Sequence, residues 1–208
     1  MKSSLNSLIL LIILPTLLKG EAPVVEENGI VVIETEDTTS DLGKWEQKTS
    51  IEGYSGECYL EFTGNTPTSG PAASPLAYQF TITKGGFYQF HLYCARETIE
   101  DRTDLANDAY IRLEGDFGSG PNPGDEHGMD APLEMLKADT KFYGGDDQTF
   151  VWASGNRLDP GGHNNKRVAV YYLKTGETYT FTISGRSQLF KIDCFEFRHE
   201  DAEPRTVK

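Results

Sequence analysis

Apolar and polar residues alternate along much of the chain, and this pattern predicts β-strands. The clearest run is Glu-Thr-Tyr-Thr-Phe-Thr-Ile-Ser at residues 177–184. There Tyr179, Phe181 and Ile183 share one face of the strand, and threonines occupy the other. Similar runs cover residues 30–36, 58–63, 77–83, 87–96, 109–114, 149–153, 168–173 and 189–197.

Glycine-containing turn signals separate these runs, and a helix is predicted at residues 132–139 alone. Nine or so short strands in one domain predict an all-β fold, a two-sheet β-sandwich of the jelly-roll type. We expect this domain to cover residues 21–198. The charged residues 199–208 predict a tail that frays.

The first twenty residues have the layout of a secretory signal peptide. Lys2 precedes an apolar run from Leu8 to Leu18, which is short for a membrane span. No later segment is apolar enough to cross a bilayer. The sequence therefore predicts a secreted protein, extracellular or periplasmic.

The formal net charge of −13 argues against a nucleic-acid partner, because phosphate binding needs clustered Lys and Arg. A monomer is expected. Cys58, Cys94 and Cys194 each lie in an apolar run. They predict either three buried thiols or one disulfide with a thiol left over, and their spacing does not fit a zinc site.

The segment from Phe150 to Arg167 combines an aromatic plane with amide, guanidinium and imidazole groups. Loops between strands often carry binding contacts, and these groups suit a sugar, with its flat apolar faces and hydroxyl rim. The alternative is a solvated loop whose Gly and Asn residues serve only the turn. The candidate sugar contacts are Arg96, Asn107, Trp152, Asn156, Arg157, His163, Asn164 and Asn165.

Basic side chains gather in the same segment, namely Arg157, His163, Lys166 and Arg167. If they converge, they favour an anionic polysaccharide. Alternatively, they pair with acidic residues nearby in sequence. Trp45 also allows two interpretations, stacking on sugar or closing one end of the sandwich.

Glu34 and Glu36 are two residues apart on the predicted first strand, which places both carboxylates on one face. Like charges this close repel unless a cation neutralises them, and calcium prefers such oxygen ligands. The alternative is a solvated strand face. Asp193, within the apolar last strand, needs a partner and completes the site if first and last strands are neighbours.

Three motifs resemble non-catalytic carbohydrate-binding modules of families 6 and 35: residues 32–36 (VIETE), 53–62 (GYSGECYLEF) and 190–197 (FKIDCFEF). The resemblance implies a β-jelly roll with a structural Ca²⁺ held by Glu34, Glu36 and Asp193. Residues 107–116 and 152–167 are similar to modules found with enzymes of marine polysaccharide breakdown. That similarity implies an agar-type galactan or a uronate polymer as partner.

Two other functions are compatible with the sequence. A small polysaccharide lyase or glycoside hydrolase would need paired carboxylates or a His base, but Gly-x-Ser-x-Gly and His-Glu-x-x-His motifs are absent. An adhesion or matrix protein would use the loop as a polar protein interface. The sequence favours a binding protein without catalytic activity.

Overall fold

The structure, a computed structural model, describes residues 22–121, 132–158 and 167–205. Within these ranges two β-sheets pack face to face. This confirms the predicted all-β sandwich. The predicted signal peptide lies outside the described residues.

Fifteen strands and two short helical segments make up the described part of the chain. The helical segments are a 3₁₀ turn at Thr35–Asp37 and helix α1 at Leu133–Leu136. The strands are β1 (Val24–Val25), β2 (Ile30–Glu34), β3 (Trp45–Lys48), β4 (Tyr59–Phe62), β5 (Ala73–Thr81), β6 (Gly86–Arg96), β7 (Asp108–Glu114), β8 (Gly118–Ser119), β9 (Thr140–Tyr143), β10 (Asp146–Asp147), β11 (Val151–Ala153), β12 (Gly155–Asn156), β13 (Val170–Leu173), β14 (Thr178–Gly185) and β15 (Lys191–His199).

The smaller sheet has the strand order β1-β5-β14-β7-β9-β12. The larger sheet has the order β3-β4-β15-β6-β13-β8, with β2 also paired to β15, and β10 and β11 also paired to β6. First and last long strands are thus neighbours, since Glu34 of β2 lies opposite Cys194 of β15. This is the arrangement that a shared site on the two strands requires.

Aromatic side chains fill the space between the sheets. Phe181 of β14 is fully buried, as its alternation predicts, and its ring centroid lies 4.7 Å from that of Phe90 on β6. Phe195 and Phe197 of β15 pack on the same rings, at 5.2 Å and 5.1 Å from Phe181. Burying such rings supplies most of the driving force for the fold.

The three cysteines are free thiols inside the fold. Cys58, Cys94 and Cys194 are all buried and unbridged. Trp45 is also buried, packs 5.0 Å from the Phe62 ring and donates from Nε1 to the carbonyl of Ser74 at 2.9 Å. It therefore belongs to the core.

Among the described residues, no helix is long and apolar enough to cross a membrane.

Gly185 permits the two sheets to approach each other at one end. A Cβ at this position would overlap the Phe62 ring, which is itself fully buried. We expect Gly185→Ala to lower the free energy of unfolding by roughly 1–3 kcal/mol through overpacking. Chemical denaturation would measure this loss.

Gly118→Ala is a suitable control, because a Cβ there would lie 3.4 Å from Tyr172 Cβ, an ordinary contact. If both variants unfold at the same denaturant concentration as the parent chain, close packing at Gly185 is not a determinant of stability.

Candidate functional site

A β-bulge in β15 places two consecutive side chains beside Glu34. Along β6 the pairing moves two residues, from Cys94 to Leu92, while along β15 it moves three, from Ile192 to Phe195. The extra residue interrupts the usual alternation of side chains. As a result, one ligand atom each from Asp193, Cys194 and Glu34 lie within 4.8 Å of one another.

Glu36 reaches this cluster from a turn and not from a strand. The predicted first strand extends to residue 36, whereas β2 ends at Glu34 and the chain continues as a 3₁₀ turn. The prediction of two glutamates on one strand face is therefore wrong, because the turn replaces the strand geometry. The Glu36 carboxylate still lies near that of Glu34, because both border Gly56. A Cβ on Gly56 would overlap Glu36 Oε1 and lie 3.5 Å from Glu34 Cδ.

Polar groups of residues 55–58 hold the three carboxylates. The hydroxyl oxygen of Ser55 lies 2.8 Å from Glu34 Oε2 and 2.9 Å from Asp193 Oδ2, so the two carboxylates share its single proton. The backbone N–H of Ser55 donates to Asp193 Oδ2 at 2.9 Å. The backbone N–H of Glu57 donates to Glu36 Oε1 at 2.9 Å. Two carboxylate oxygens in the cluster, Glu36 Oε2 and Asp193 Oδ1, are buried without a hydrogen-bond partner.

The cluster concentrates negative charge in a buried place. Asp193 is fully buried. Burial raises the pKa of Glu34, and the charges of Asp193 and Glu36 raise it further. Burial and the charge of Glu36 likewise raise the pKa of Asp193. These shifts mark a site where a cation would relieve repulsion.

The outer face of the larger sheet carries a pair of aromatic rings. Trp152 on β11 lies opposite Tyr93 on β6, with ring centroids 5.0 Å apart and planes inclined by 36°. Both rings are partly exposed. We call Tyr93 and Trp152 the aromatic platform. Phe150, which is buried, packs 5.6 Å from the Tyr93 ring and supports the platform.

A groove of about 420 Å³ adjoins the platform on the same face. Its floor includes Phe87, Gln89 and His91, which alternate along β6 with core residues and lead towards Tyr93. Val170 and Arg198 line its sides. From Phe87 to Tyr93 the strand rises roughly 20 Å, so the groove and the platform lie one after the other along the same face of β6.

Two guanidinium groups lie on this face around the buried carboxylate of Glu196. Arg198 binds it through two hydrogen bonds, of 3.0 and 3.1 Å. Arg205 also contacts Glu196, and its guanidinium carbon lies 4.2 Å from the centroid of the Trp152 ring. The pKa of His91 is lowered to about 4, mainly by burial and further by the charges of Arg205 and Arg198. The charge of Glu196 raises it in part. His91 is therefore neutral at neutral pH.

Arg96 and Asn107 lie away from the aromatic platform. Arg96 is three residues beyond Tyr93 on β6, so its side chain leaves the opposite face of the strand. It donates to Asp146 at 3.3 Å and Thr98 at 3.0 Å. Asn107 precedes β7 of the smaller sheet, and its side-chain amide, oriented to donate, lies 3.2 Å from Asp108 Oδ1.

The chain changes sheets between Trp152 and Asn156, and this separates the predicted contacts. β11 belongs to the larger sheet and β12 to the smaller one. Asn156 is fully buried opposite Phe142, with neither side-chain heteroatom hydrogen-bonded, so it is closed to a surface ligand. Arg157 donates its backbone N–H to Lys141 of the smaller sheet at 2.8 Å. The structure brings neither residue to Trp152.

The other predicted contacts, His163, Asn164 and Asn165, lie outside the described residues. So does Lys166 of the predicted basic cluster. Of that cluster, Arg167 is buried and exchanges backbone hydrogen bonds with Asn156.

Comparison with known proteins finds solved structures with a similar fold. Neither a family model nor a curated relative matches the chain. The GH26-CBM35 β-(1,4)-mannanase of Podospora anserina aligns with a TM-score of 0.51 and 14% identity, over 86% of this chain and 29% of the mannanase chain. The fold is like that of a family 35 module.

Two isolated family 35 modules give lower scores over nearly their whole length. The module from Clostridium thermocellum aligns with a TM-score of 0.45 and 15% identity, over 82% of this chain and 98% of its own. A module from an environmental isolate aligns with a TM-score of 0.46 and 9% identity, over 86% and 99%. The chain spans less than a third of the mannanase.

In this family-35-like sandwich, several site residues went unnoticed in the sequence. Tyr93 and His91 follow the strand alternation and could have been assigned to one outer face from it. Ser55 lies within the motif at residues 53–62, but nothing in the sequence indicates its contact with Asp193. Glu196 and Arg205 meet only because the chain folds back after β15, which local sequence does not encode.

Proposed function

We propose that the protein is a secreted, non-catalytic polysaccharide-binding protein whose glycan lies along the outer face of the larger sheet. The observation that carries this proposal is the aromatic platform, Tyr93 and Trp152, on the same outer face as the groove above β6. Partly exposed aromatic rings beside a mainly apolar groove with a few polar groups are the usual elements of ligand recognition. The family-35-like fold supports the same conclusion.

The groove has suitable size and chemistry for several sugar residues. Its floor offers the amide of Gln89 and the neutral imidazole of His91, and each of these groups both donates and accepts hydrogen bonds. The apolar surfaces of Phe87 and Val170 complement the flat faces of sugar rings. An elongated groove open along the sheet favours recognition of the interior of a polymer chain.

The first glycans to test are agar-type galactans and uronate polymers, which the sequence resemblance implies. The structural neighbour adds β-(1,4)-mannan, the substrate named for that mannanase. Neutral and anionic polymers both belong in the panel, because two of the four predicted basic residues of the loop lie outside the described part of the chain.

We also propose that Glu34, Glu36 and Asp193 hold a structural Ca²⁺. The two unpartnered buried oxygens, the raised pKa values of Glu34 and Asp193, and the carboxylate and hydroxyl oxygens of the cluster support a hard divalent cation. Cys194 also lies in the cluster, but burial raises its pKa to about 12, so it stays a neutral thiol and a poor ligand. The ion would tie β2 to β15 and to the segment around Ser55. It would lie outside the groove, in a stabilising role.

Affinity electrophoresis combined with reducing-end assays tests the proposed function. The polymers are agarose, porphyran, alginate, pectin, laminarin and β-(1,4)-mannan. We expect retarded migration in at least one gel without release of new chain ends. Release of products would replace the proposal by a lyase or hydrolase. Normal migration in every gel would favour an adhesion protein with a protein partner.

A further inference from the structure

Residues 200–205, which follow β15, fold back over the outer face of the larger sheet. After β15 ends at His199, the backbone N–H of Asp201 donates to the His199 imidazole at 3.0 Å. The carbonyl of Glu203 accepts a hydrogen bond from Arg198 at 2.5 Å. Arg205 then lies on Trp152. We call residues 202–205 the strap.

We propose that the strap occupies the stacking surface of Trp152 and competes with polysaccharide for it. This inference rests on the proposed function. A guanidinium and a sugar ring are both flat groups that stack on indole, and the 4.2 Å separation leaves no room for a sugar between Arg205 and Trp152. A glycan that uses the whole platform must therefore displace Arg205.

The strap is held by polar contacts and buries little apolar surface. Glu203 and Pro204 are exposed, and Ala202 is half-buried. Its attachments are the backbone hydrogen bond from Ala202 to the His199 carbonyl, the bond from Arg198 to the Glu203 carbonyl, the ion pair with Glu196 and the cation–π contact with Trp152. The Nε of Arg205 is buried without a hydrogen-bond partner, which weakens the binding of the strap to the sheet.

Release of the strap leaves no unpaired charge behind. Glu196 keeps both hydrogen bonds from Arg198 when Arg205 departs. The freed lone pairs of Glu196 can then accept hydrogen bonds from sugar hydroxyls. The platform therefore exchanges an internal ligand for an external one, at the cost of the cation–π contact, the Arg205–Glu196 ion pair and the hydrogen bond from Arg198 to the Glu203 carbonyl.

Arg205→Ala and a chain ending at Glu203 test the strap without any sugar. We expect acrylamide to quench the Trp fluorescence of both variants more strongly than that of the parent chain. Trp45 is 3% exposed and contributes little to the difference. We also expect the pKa of His91 to rise above its value of about 4, because the charge of Arg205 lowers it. Imidazole NMR measures this shift.

Binding assays on the same variants test the competition. On a polymer that retards the parent chain, we expect roughly 5- to 10-fold tighter binding, about the worth of one cation–π contact. Arg102→Ala, which removes an exposed ion pair with Asp104, is the matched control and should change none of these readings.

Each other outcome has a definite meaning. Unchanged quenching and an unchanged His91 pKa would overturn the strap. Increased quenching with unchanged polymer binding would overturn the competition. Increased quenching with weaker binding would also overturn it and make Arg205 a ligand contact. Increased quenching with no polymer bound by any variant would support the strap contact and contradict the proposed function.

Discussion

Trp152→Ala is expected to abolish retention of the protein by its polysaccharide while leaving the sandwich folded. Trp152 provides the larger ring of the aromatic platform. The aromatic contact alone is worth up to about 1.5 kcal/mol, which corresponds to roughly tenfold in affinity. The loss of buried apolar area weakens binding further. Because the ring lies on the outer face and outside the main core, we expect thermal unfolding to change by only a few degrees. Affinity electrophoresis and calorimetry provide the two measurements.

Tyr110→Ala is the matched control for this variant. Tyr110 is a partly exposed aromatic residue with a guanidinium, that of Arg186, 5.8 Å from its ring centroid. It lies on the smaller sheet and should not affect retention. Equal retention of Trp152→Ala and the parent chain would move the glycan away from this face. The Asn107 side of the smaller sheet would then become the next surface to test.

Chelation is expected to lower the melting temperature of the parent chain. An ion present at a hundred times its Kd stabilises the native state by about 2.7 kcal/mol. In a domain of this size, this corresponds to roughly 5–10 °C in Tm. Differential scanning calorimetry with excess chelator, and then with added Ca²⁺, measures the loss and its recovery.

The same experiment has a pH dependence of known sign. The folded-state pKa values of Glu34 and Asp193 are raised without the ion. The chelated protein therefore takes up protons at higher pH than its unfolded chain, and its stability rises as pH falls towards about 4.5. Protons also weaken cation binding. We expect the gap between chelated and Ca²⁺-loaded melting curves to narrow on acidification.

Asp193→Asn provides the control for the cation. This variant keeps the shape of the side chain but removes one charge, so its melting curve should respond little to chelator. Asp104→Asn alters an exposed carboxylate elsewhere and should retain the full response. A parent chain whose melting curve is the same with and without chelator would exclude a cation at this site.

Alternation in the sequence predicted the long strands because each buries one face. In β14 and β6 the period of two corresponds directly to inward and outward side chains. β3 and β9 escaped prediction for the opposite reason. Glu46-Gln47-Lys48 carries no apolar alternation, and Thr140–Tyr143 is a short strand whose pairing with β7 comes from the tertiary fold.

The sequence indicated which residues lie close together where strand pairing decides proximity, and did not indicate it where backbone irregularity decides it. Asp193 meets Glu34 because β15 and β2 are neighbours, which the sequence could suggest. The bulge that turns Cys194 to the same side cannot be inferred from the sequence. Trp152 and Asn156 are four residues apart yet lie in different sheets, because the chain crosses between sheets at Ser154.

The two ends of the described chain leave the sandwich at different places. β1 forms an edge of the smaller sheet, whereas Arg205 lies on the outer face of the larger one. A bulky group joined directly after Arg205 would lie beside Trp152 and restrict access to the aromatic platform. A group attached at β1 would lie on the other sheet.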